Sequence, residues 1–275
     1  MPEPSGQPRG RRSPRLVTAE VLRTERLTPR MTRVVLGGPG LDGFGADEFT
    51  DHYLKLQFPR PGVEYPESFD LGRIREELPR EQWPLTRTYT VRRWDAGERE
   101  LWVDFVVHGD EGVAGPWAAN VKPGEPLRFA GPGGAYAPAA DAEWHLLAGD
   151  ESALPAIAAA LERLPAGARA RAFVEVAGPE EEQKLETAGD VELTWLHRGG
   201  ARVGERLLAA VRGLDLGGDV QAFVHGEAGF VKELRRLLVR ERGLPKGRTS
   251  ISGYWRLGCN EDAWQAVKRE FDPPT

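Results

Sequence analysis

Apolar and polar residues alternate with a period of two through much of the first half of the chain, which is the pattern of half-buried β-strands. Turn-forming residues interrupt it at Thr28-Pro29, Asp95-Ala96-Gly97 and Pro123-Gly124. A proline-rich stretch over 59–84, with the short helical patch LGRIREEL, is predicted to be an insertion between strands and not a separate domain. The pattern predicts an antiparallel barrel with strands over 16–28, 29–36, 51–58, 87–94, 100–107 and 126–130.

The pattern changes near residue 140, where continuous apolar strands begin to alternate with helical periodicity. This alternation indicates a parallel sheet covered on both faces. The predicted strands cover 144–148, 172–176, 191–196, 220–225 and 249–255, and the predicted helices cover 154–164, 229–241 and 261–271. The fold class is therefore two-domain β + α/β. It comprises a disordered tail over 1–15, an antiparallel β-barrel domain over 16–140, and a doubly wound α/β domain with a C-terminal helix over 141–275.

Composition and charge narrow the classes of function. The 275-residue chain has a net charge of −5 at pH 7, which argues against nucleic acid as a partner. No apolar run approaches the roughly 18 residues of a membrane span, and no apolar core follows the basic N-terminus. The single cysteine, Cys259, excludes an internal disulfide, and the five histidines lack metal-site spacing. These features predict a cytoplasmic monomer without membrane insertion and without a bound metal.

Four consecutive residues, Arg87-Thr88-Tyr89-Thr90, combine a cation, a flat ring and two hydroxyls on one predicted strand. Arg87 and Tyr89 should point to one side of the strand, and Thr88 and Thr90 to the other. An arginine can bind phosphate with two N–H groups, a tyrosine ring can lie on a flavin, and Thr90 can hydrogen-bond a flavin ring atom. The alternative is an ordinary barrel strand with an exposed arginine.

A glycine-rich run from His108 to Trp117 follows the next strand. Small residues at Gly112, Val113 and Ala114 precede a predicted helix start, where Pro116 suits the first helical position. Unpaired N–H groups at a helix start attract anions, so this run and the preceding tetrapeptide together favour a flavin-binding barrel. We expect the imidazoles of His52 and His108 to lie beside the flavin, although each is equally consistent with an ordinary barrel histidine.

Two turns in the second half end predicted strands of the parallel sheet. Gly149-Asp150-Glu151-Ser152-Ala153 closes the first strand, and Gly226-Glu227 closes a later one. Ligands of open parallel sheets bind outside the carboxyl ends of the strands, so these turns predict a nicotinamide cleft in which Asp150 or Ser152 caps the helix. The acidic run Glu180–Glu182 favours NADH over NADPH, because carboxylates repel a 2′-phosphate; a solvated acidic loop explains the run equally well.

These pieces, in this order, resemble the siderophore-interacting protein family, the flavin-dependent ferric-siderophore reductases of the ferredoxin-reductase superfamily. The glycine-rich run, the GDESALPA turn and the terminal GYWR are more specific to the family than RxYT, which the whole superfamily shares. The matching stretches are DHYLKLQFP (51–59), TRTYTVRRWD (86–95), VDFVVHGDEGVAGPWA (103–118), AGPGGAY (130–136), GDESALPAI (149–157), VHGEAGFVKELRRLL (224–238) and SGYWRLG (252–258).

The resemblance implies a six-stranded barrel that binds FAD and an α/β domain that meets the electron donor, which is NADH, NADPH or a ferredoxin. It places Tyr89 and Thr90 at the flavin as catalytic residues. It assigns further FAD contacts to His52, Arg87, Thr88, His108, Gly112, Val113, Ala114 and Trp117. At the nicotinamide cleft or the flavin face it places Asp150, Ser152, Ala153, Glu227 and Trp255, with Tyr254 as an alternative cover to Trp255.

The implied activity is reduction of siderophore-bound Fe(III) to Fe(II), which releases the iron. Many ferric siderophores are anionic, so the substrate pocket should be basic. The candidates for this pocket are Lys55, Arg248 and Arg256, with Arg92 and Arg93 as weaker ones. Cys259 stands where the family often has another basic residue, and a buried thiol is expected there. A ferredoxin-coupled reductase and a non-catalytic flavin or siderophore binder remain as alternatives.

Overall fold

The computed structural model describes residues 16–109, 112–259 and 261–271, so the tail predicted over 1–15 lies outside the described residues. Two β-sheets organise the described chain, and each has its own buried core. The first sheet ends at Gly133 and the second begins at Trp144. The predicted domain boundary at 140–141 lies in the segment between them and stays a prediction.

The first sheet is antiparallel throughout, as the alternating pattern predicts. Its strand order is β4-β3-β7-β1-β2-β6-β5. Leu54, Leu56, Phe105 and Phe129 fill its inside and are fully buried. Within the described residues the seven strands are β1 (Val17–Thr28), β2 (Met31–Gly37), β3 (Tyr53–Phe58), β4 (Leu85–Thr90), β5 (Arg93–Asp95), β6 (Glu100–Val106) and β7 (Pro126–Gly133).

The barrel has one strand more than the six expected, because the segment predicted as a single strand over 87–94 divides in two. Val91 N donates to His52 O at 2.7 Å, whereas Arg92 N donates to Trp102 O at 2.9 Å. The chain therefore crosses between these two residues from the β3 side to the β6 side. Strands β4 and β5 are the two ends of the sheet order. Because the chain runs directly from one to the other, this crossing closes the sheet into a barrel.

Among the described residues of the first half, two short α-helices accompany the strands. Helix α1 (Leu71–Glu77) confirms the helical patch in the proline-rich insertion, and Asp70 caps it by accepting from Arg73 N at 2.9 Å. Helix α2 (Ala114–Asn120) follows β6 in the glycine-rich run. It packs tightly on β6, since a Cβ added at Gly115 would lie 3.0 Å from Val106 O.

The second sheet confirms the doubly wound α/β prediction, with parallel strands in the order β10-β9-β8-β11-β12. Helix α3 packs on the face that also contacts Tyr136 of the connecting segment, and α4 and α5 pack on the other. The strands are β8 (Trp144–Asp150), β9 (Arg169–Val176), β10 (Asp190–His197), β11 (Val220–Glu227) and β12 (Thr249–Trp255); the helices are α3 (Leu154–Arg163), α4 (Glu205–Arg212), α5 (Ala228–Arg235) and α6 (Glu261–Phe271).

Two helical segments differ from the sequence predictions. Helix α4 was not predicted, because it is short, begins and ends at glycines and buries only Leu207 and Val211 fully. The helix predicted over 229–241 is α-helical only to Arg235 and continues as a π-helix over Arg236–Glu241. The predicted helix 261–271 matches α6, and among its described side chains Trp264 is buried.

A buried carboxylate joins the two halves of the molecule. Glu181, on the loop after β9, is 6% exposed and accepts a short hydrogen bond from the Thr28 hydroxyl. The same carboxylate oxygen accepts from Arg30 N at 3.2 Å. Arg92 of the barrel adds an ion pair with Glu162 of α3. These polar contacts fix the β1–β2 turn against the α/β domain.

We predict that Glu181→Ala lowers the free energy of unfolding by about 1.5–3 kcal/mol, the usual contribution of hydrogen bonds to a charged group. Glu181→Gln should lose less, because its amide oxygen still accepts from Thr28. Urea denaturation of both variants measures the difference. Equal stability of wild type and Glu181→Ala would show that this contact does not hold the domains.

Candidate active site

Strand β4 carries the predicted tetrapeptide at one end of the barrel sheet, where it pairs with β3 alone among the described strands. Arg87 is 15% exposed, donates to Thr86 O at 2.7 Å and lies 3.7 Å from the Asp262 carboxylate of α6. The Thr88 hydroxyl donates to Glu261 of the same helix at 3.1 Å. Helix α6 therefore supplies two acidic partners to this strand, which sequence reasoning did not foresee.

The ring of Tyr89 packs with its centroid 4.4 Å from that of Phe105, and burial raises the pKa of its phenol. Thr90 is buried, and Tyr254 on β12 lies close enough to interact with its side chain. The structure thus brings Thr90 and Tyr254 together where barrel and α/β domain meet, while the Tyr89 ring packs into the barrel. Of the two aromatic residues proposed to cover a flavin, Tyr254 is the one that contacts the tetrapeptide.

Trp255 is held instead at the carboxyl edge of the parallel sheet. Its Nε1 donates to Asp150 Oδ2 at 2.8 Å, and Glu227 N donates to the same oxygen at 2.8 Å. The other carboxylate oxygen accepts from Ser152 N at 3.0 Å and from the Ser152 hydroxyl at 2.5 Å. Burial, and next the charge of Glu151, raise the pKa of the Asp150 carboxyl to about 6. One carboxylate thus joins the ends of β8, β11 and β12.

The prediction that Asp150 or Ser152 caps the helix at this edge is wrong. Ala153 is the N-cap of α3 and no side chain caps it, because the Asp150 carboxylate and the Ser152 hydroxyl bond to each other and across the sheet. Glu227 takes the capping role at α5, accepting from Gly229 N at 2.6 Å and from Phe230 N at 3.3 Å. All five predicted residues of the cleft still lie at or directly after the strand ends, as the order of motifs indicated.

Both ring nitrogens of His52 have partners within the protein. Its Nε2 accepts from Phe49 N at 3.1 Å, so its Nδ1 carries the proton and donates to Gly133 O at 3.2 Å. The ring is buried against Phe49 with both nitrogens satisfied. His52 is therefore better explained as a residue that holds the start of β3 than as a flavin contact.

A cavity of about 460 Å³ opens at the other predicted barrel histidine. His108 and Gly109 lie there beside the β1–β2 turn and α2, and Arg26 and Arg30 also line the cavity. No sequence motif had indicated these two cations. The lining residues are Arg26, Pro29, Arg30, Val107, His108, Gly109, Pro116, Ala119 and Asn120.

The remainder of the glycine-rich run differs from its prediction in two ways. Helix α2 begins at Ala114, so Pro116 is its third residue rather than its first. The Trp117 ring packs on Phe58 and Phe105 in the barrel core, with Val113 and Ala114 beside it. Of the residues from Gly112 to Trp117, Pro116 lines the cavity, and a Cβ at Gly112 would meet open space.

The predicted substrate cations separate into two groups. Lys55 is exposed on β3 opposite Thr88, and Arg256 directly follows Trp255, so both lie near the tetrapeptide and the cleft. Arg248 stands at the other end of β12, where it binds Asp141 at 2.9 Å and also pairs with Asp219. Arg248 therefore does not belong to this site, because it lies about seven residues along β12 from Trp255 and its guanidinium is already paired with carboxylates.

The structure also changes the interpretation of the weaker substrate candidates and of the cysteine. Arg92 pairs with Glu162, and Arg93 pairs with Asp95 at 2.9 Å, so both guanidinium groups have acidic partners. Cys259 is exposed rather than buried, because it follows a turn in which its N–H donates to Arg256 O at 3.1 Å.

The chain has a closed antiparallel barrel followed by a doubly wound domain, and its RxYT strand faces the carboxyl edge of the parallel sheet. This combination defines the class of ferredoxin-reductase-like proteins. A Plasmodium falciparum ferredoxin-NADP+ reductase with bound 2′P-AMP shares the fold at 11% identity, a TM-score of 0.63 and 87% and 96% coverage of the two chains. The chain belongs to the siderophore-interacting protein family: the family's own model matches residues 142–258, and that of the siderophore-interacting FAD-binding domain matches residues 20–136.

Relatives cover nearly the whole chain. An uncharacterized Mycobacterium tuberculosis protein is 48% identical over 92% of this chain and 94% of its own length. Ferric vibriobactin reductase ViuB of Vibrio cholerae is 33% identical over 91% and 92%, and the NADPH-dependent ferric-chelate reductase of Escherichia coli is 34% identical over 86% and 91%.

Two solved structures are similar over the same range. A siderophore utilization protein from T. fusca matches with a TM-score of 0.78 and 41% identity, covering 90% of this chain and 94% of that one. The siderophore-interacting protein SipS from Aeromonas hydrophila matches with a TM-score of 0.79 and 30% identity, covering 94% and 98%. In the described part of this chain, no helix has the length and apolar character needed to cross a bilayer.

We predict that Asp150 and Trp255 are energetically coupled. Asp150→Ala leaves three N–H donors, of Ser152, Glu227 and Trp255, without an acceptor, and Trp255→Phe removes one of those donors. A double-mutant cycle on the free energy of unfolding should therefore give a coupling of about 1.5–3 kcal/mol. Strictly additive effects would show that the bond does not anchor Trp255.

Proposed function

We propose that this chain is an FAD-dependent ferric-siderophore reductase that takes electrons from NADPH. The observation that carries the proposal is that β4 lies against the α/β domain, where Thr90 interacts with Tyr254 on β12 and Thr88 donates to Glu261 of α6. This contact is at the boundary between an FAD-binding domain of this family and the carboxyl edge of a parallel sheet. The family match and the names of the Vibrio and Escherichia relatives support it.

The residues at the seam have the chemistry that FAD requires. Arg87 offers a guanidinium to the pyrophosphate, Tyr89 a ring for the flavin and Thr90 a hydroxyl for a ring atom. The Asp262 carboxylate beside Arg87 marks a place where an anionic oxygen is stabilised. Arg26, Arg30 and His108 surround a cavity that suits the adenosine half. FAD, when bound, would accept two electrons from the donor and pass them on one at a time.

NADPH is the donor that the charges favour. The sequence argument for NADH depended on three acidic side chains facing the cleft. Glu181 instead binds Thr28 in the barrel, and Glu182 pairs with His197 at 2.7 Å. Two of the three carboxylates are therefore directed towards other partners, which weakens the repulsion expected for a 2′-phosphate. The NADPH dependence named for the Escherichia coli relative agrees with this choice.

Lys55 and Arg256 are the cations proposed to receive the ferric chelate. Both lie close to the strand that would carry the flavin, and Lys55 has no ion pair among the described residues. In a protein with a net charge of −5, such a local basic edge would attract an anionic chelate that the remaining surface repels. Reduction would lower the chelate's affinity for iron, and Fe(II) would leave.

The experiment that tests the proposal follows the visible absorption of the purified protein. We expect flavin bands that anaerobic NADPH bleaches and that a ferric siderophore then restores. Arg87→Ala should weaken FAD binding about tenfold or more, since a charge-assisted phosphate contact is lost. Arg93→Ala, which removes an exposed arginine of the next strand, is the matched control. A colourless protein that takes up no FAD would refute the proposal.

A second prediction concerns the charge of the substrate. Lys55→Gln should raise the KM for an anionic ferric chelate several-fold, and added salt should reduce the difference, because the attraction is partly exposed and therefore screened. The KM for an uncharged chelate and the rate of flavin bleaching should not change. Lys122→Gln, at an exposed turn of the barrel, is the control. An equal effect on both chelates would place Lys55 outside the substrate pocket.

A further inference from the structure

An exposed aromatic ring lies beside the cations proposed to bind the ferric chelate. Among the described residues, the large apolar side chains that are exposed are Leu22, Tyr53 and Leu257. Tyr53 begins β3 two residues before Lys55, and both point outward from the barrel because side chains alternate along a strand. Leu257 directly follows Arg256. Each of the two proposed chelate cations therefore has an exposed apolar side chain as a close neighbour in the chain.

The Tyr53 ring is supported on one side by the backbone of β7. Tyr53 pairs with Gly133 in the β3–β7 ladder, and a Cβ added at Gly133 would lie 2.6 Å from Cζ of the ring. A larger residue at position 133 would therefore displace the ring. The side chain is nevertheless 39% exposed, so the ring is fixed in place by the strand while part of its surface remains open to solvent.

Tyr53 also lies beside the strand that would carry the flavin. It is the register partner of Thr90 on β4, and Lys55 is the register partner of Thr88. Burial raises the pKa of the Tyr254 phenol, and the phenol of Tyr53 is among the nearby groups that add to this shift. Tyr53, Thr90 and Tyr254 therefore lie close together at the boundary of the two domains, and Tyr53 is the exposed member of the three.

Cross-strand packing does not account for the exposed part of the ring. Aromatic residues often stabilise a sheet by contacting side chains on the neighbouring strands. The register partners of Tyr53 are Thr90, which is small and buried, and Gly133, which has no side chain. Covering Gly133 explains why one side of the ring is buried. It does not explain why the remaining surface faces solvent next to a cation.

A ring next to a cation distinguishes between two kinds of anionic chelate. Aryl ligands such as catecholates surround ferric ion with flat rings, whereas carboxylate ligands such as oxalate present no ring. Lys55 attracts both kinds through their charge. Only a ring-bearing ligand can stack on an aromatic side chain, and such contacts add to affinity beyond the area that they bury.

We propose that Tyr53 is a specificity-determining residue of the chelate pocket, and that the pocket takes ferric chelates whose ligands are aryl groups. One aryl ring would stack on Tyr53 while the negative charge of the complex is held by Lys55. The inference rests on the proposed reductase function and names its substrate class. Stacking of two rings corresponds to about three- to tenfold in affinity.

The test is calorimetric titration of the purified protein, with its flavin, by two gallium(III) chelates of equal charge. One is the complex of a tripodal tris-catecholate, and the other is the tris-oxalate complex, which has no ring. Gallium(III) replaces iron because it is not reduced, so binding is measured without turnover. Tyr53→Leu should weaken the tris-catecholate about three- to tenfold and leave the tris-oxalate unchanged, whereas Tyr53→Phe should keep both affinities.

Leu22→Ala is the matched control, since it removes an exposed apolar side chain from another strand of the barrel. It should leave both gallium chelates bound as in wild type. In turnover, Tyr53→Leu should raise the KM for a ferric tris-catecholate about three- to tenfold. The kcat and the rate of flavin bleaching by NADPH should stay the same, which a general disruption of the barrel would not allow.

Three results would overturn the inference: a wild type that binds neither gallium chelate, a Tyr53→Leu variant that weakens both equally or neither, or a Tyr53→Phe variant that loses as much as Tyr53→Leu. Each can occur in a protein that NADPH bleaches and a ferric siderophore reoxidises, in which case the reductase stands and only the role of Tyr53 fails. Conversely, a protein that no donor bleaches but that shows the Tyr53-dependent selectivity would refute the reductase and retain the site.

Discussion

The carboxylate of Asp150 is the constraint on which the carboxyl edge of the α/β domain depends. It is fully buried and accepts hydrogen bonds from the Ser152 turn, from β11 and from the indole of Trp255. A buried carboxylate without these donors would be strongly disfavoured, so the three strand ends must stay in register for the charge to be tolerated. The geometry of the cleft thus follows from the need to satisfy one polar group.

The barrel and the α/β domain come together through contacts of two kinds. Glu181 joins the β1–β2 turn to the loop after β9, and α6 contacts both sheets. Glu261 of α6 accepts from Thr88 on the barrel, while its Trp264 ring lies against Gly253, where a Cβ would be 2.9 Å away. Because α6 follows the last strand directly, the same short segment closes the parallel sheet and covers the strand that carries Arg87.

The sequence indicated the fold better than it indicated the directions of single side chains. Hydrophobic periodicity is set by burial, so it located almost every strand; it missed α4, where only Leu207 and Val211 are fully buried. The division of β4 from β5 had no signal, because it depends on which strand accepts the bonds of Val91 and Arg92. The surroundings of Arg248 and His52 had no signal for a related reason. Residues distant in sequence, Asp141 for the first and Gly133 for the second, engage their polar atoms, and no local pattern reveals such partners.

The exposed position of Cys259 makes the molecule easy to observe. It is the chain's single cysteine and lies three residues after Arg256, in the turn that leads from β12 towards α6. One maleimide dye or nitroxide would therefore attach at one known point, with no cysteine to remove first. Its signal would report motion of this turn relative to the barrel in the unaltered sequence.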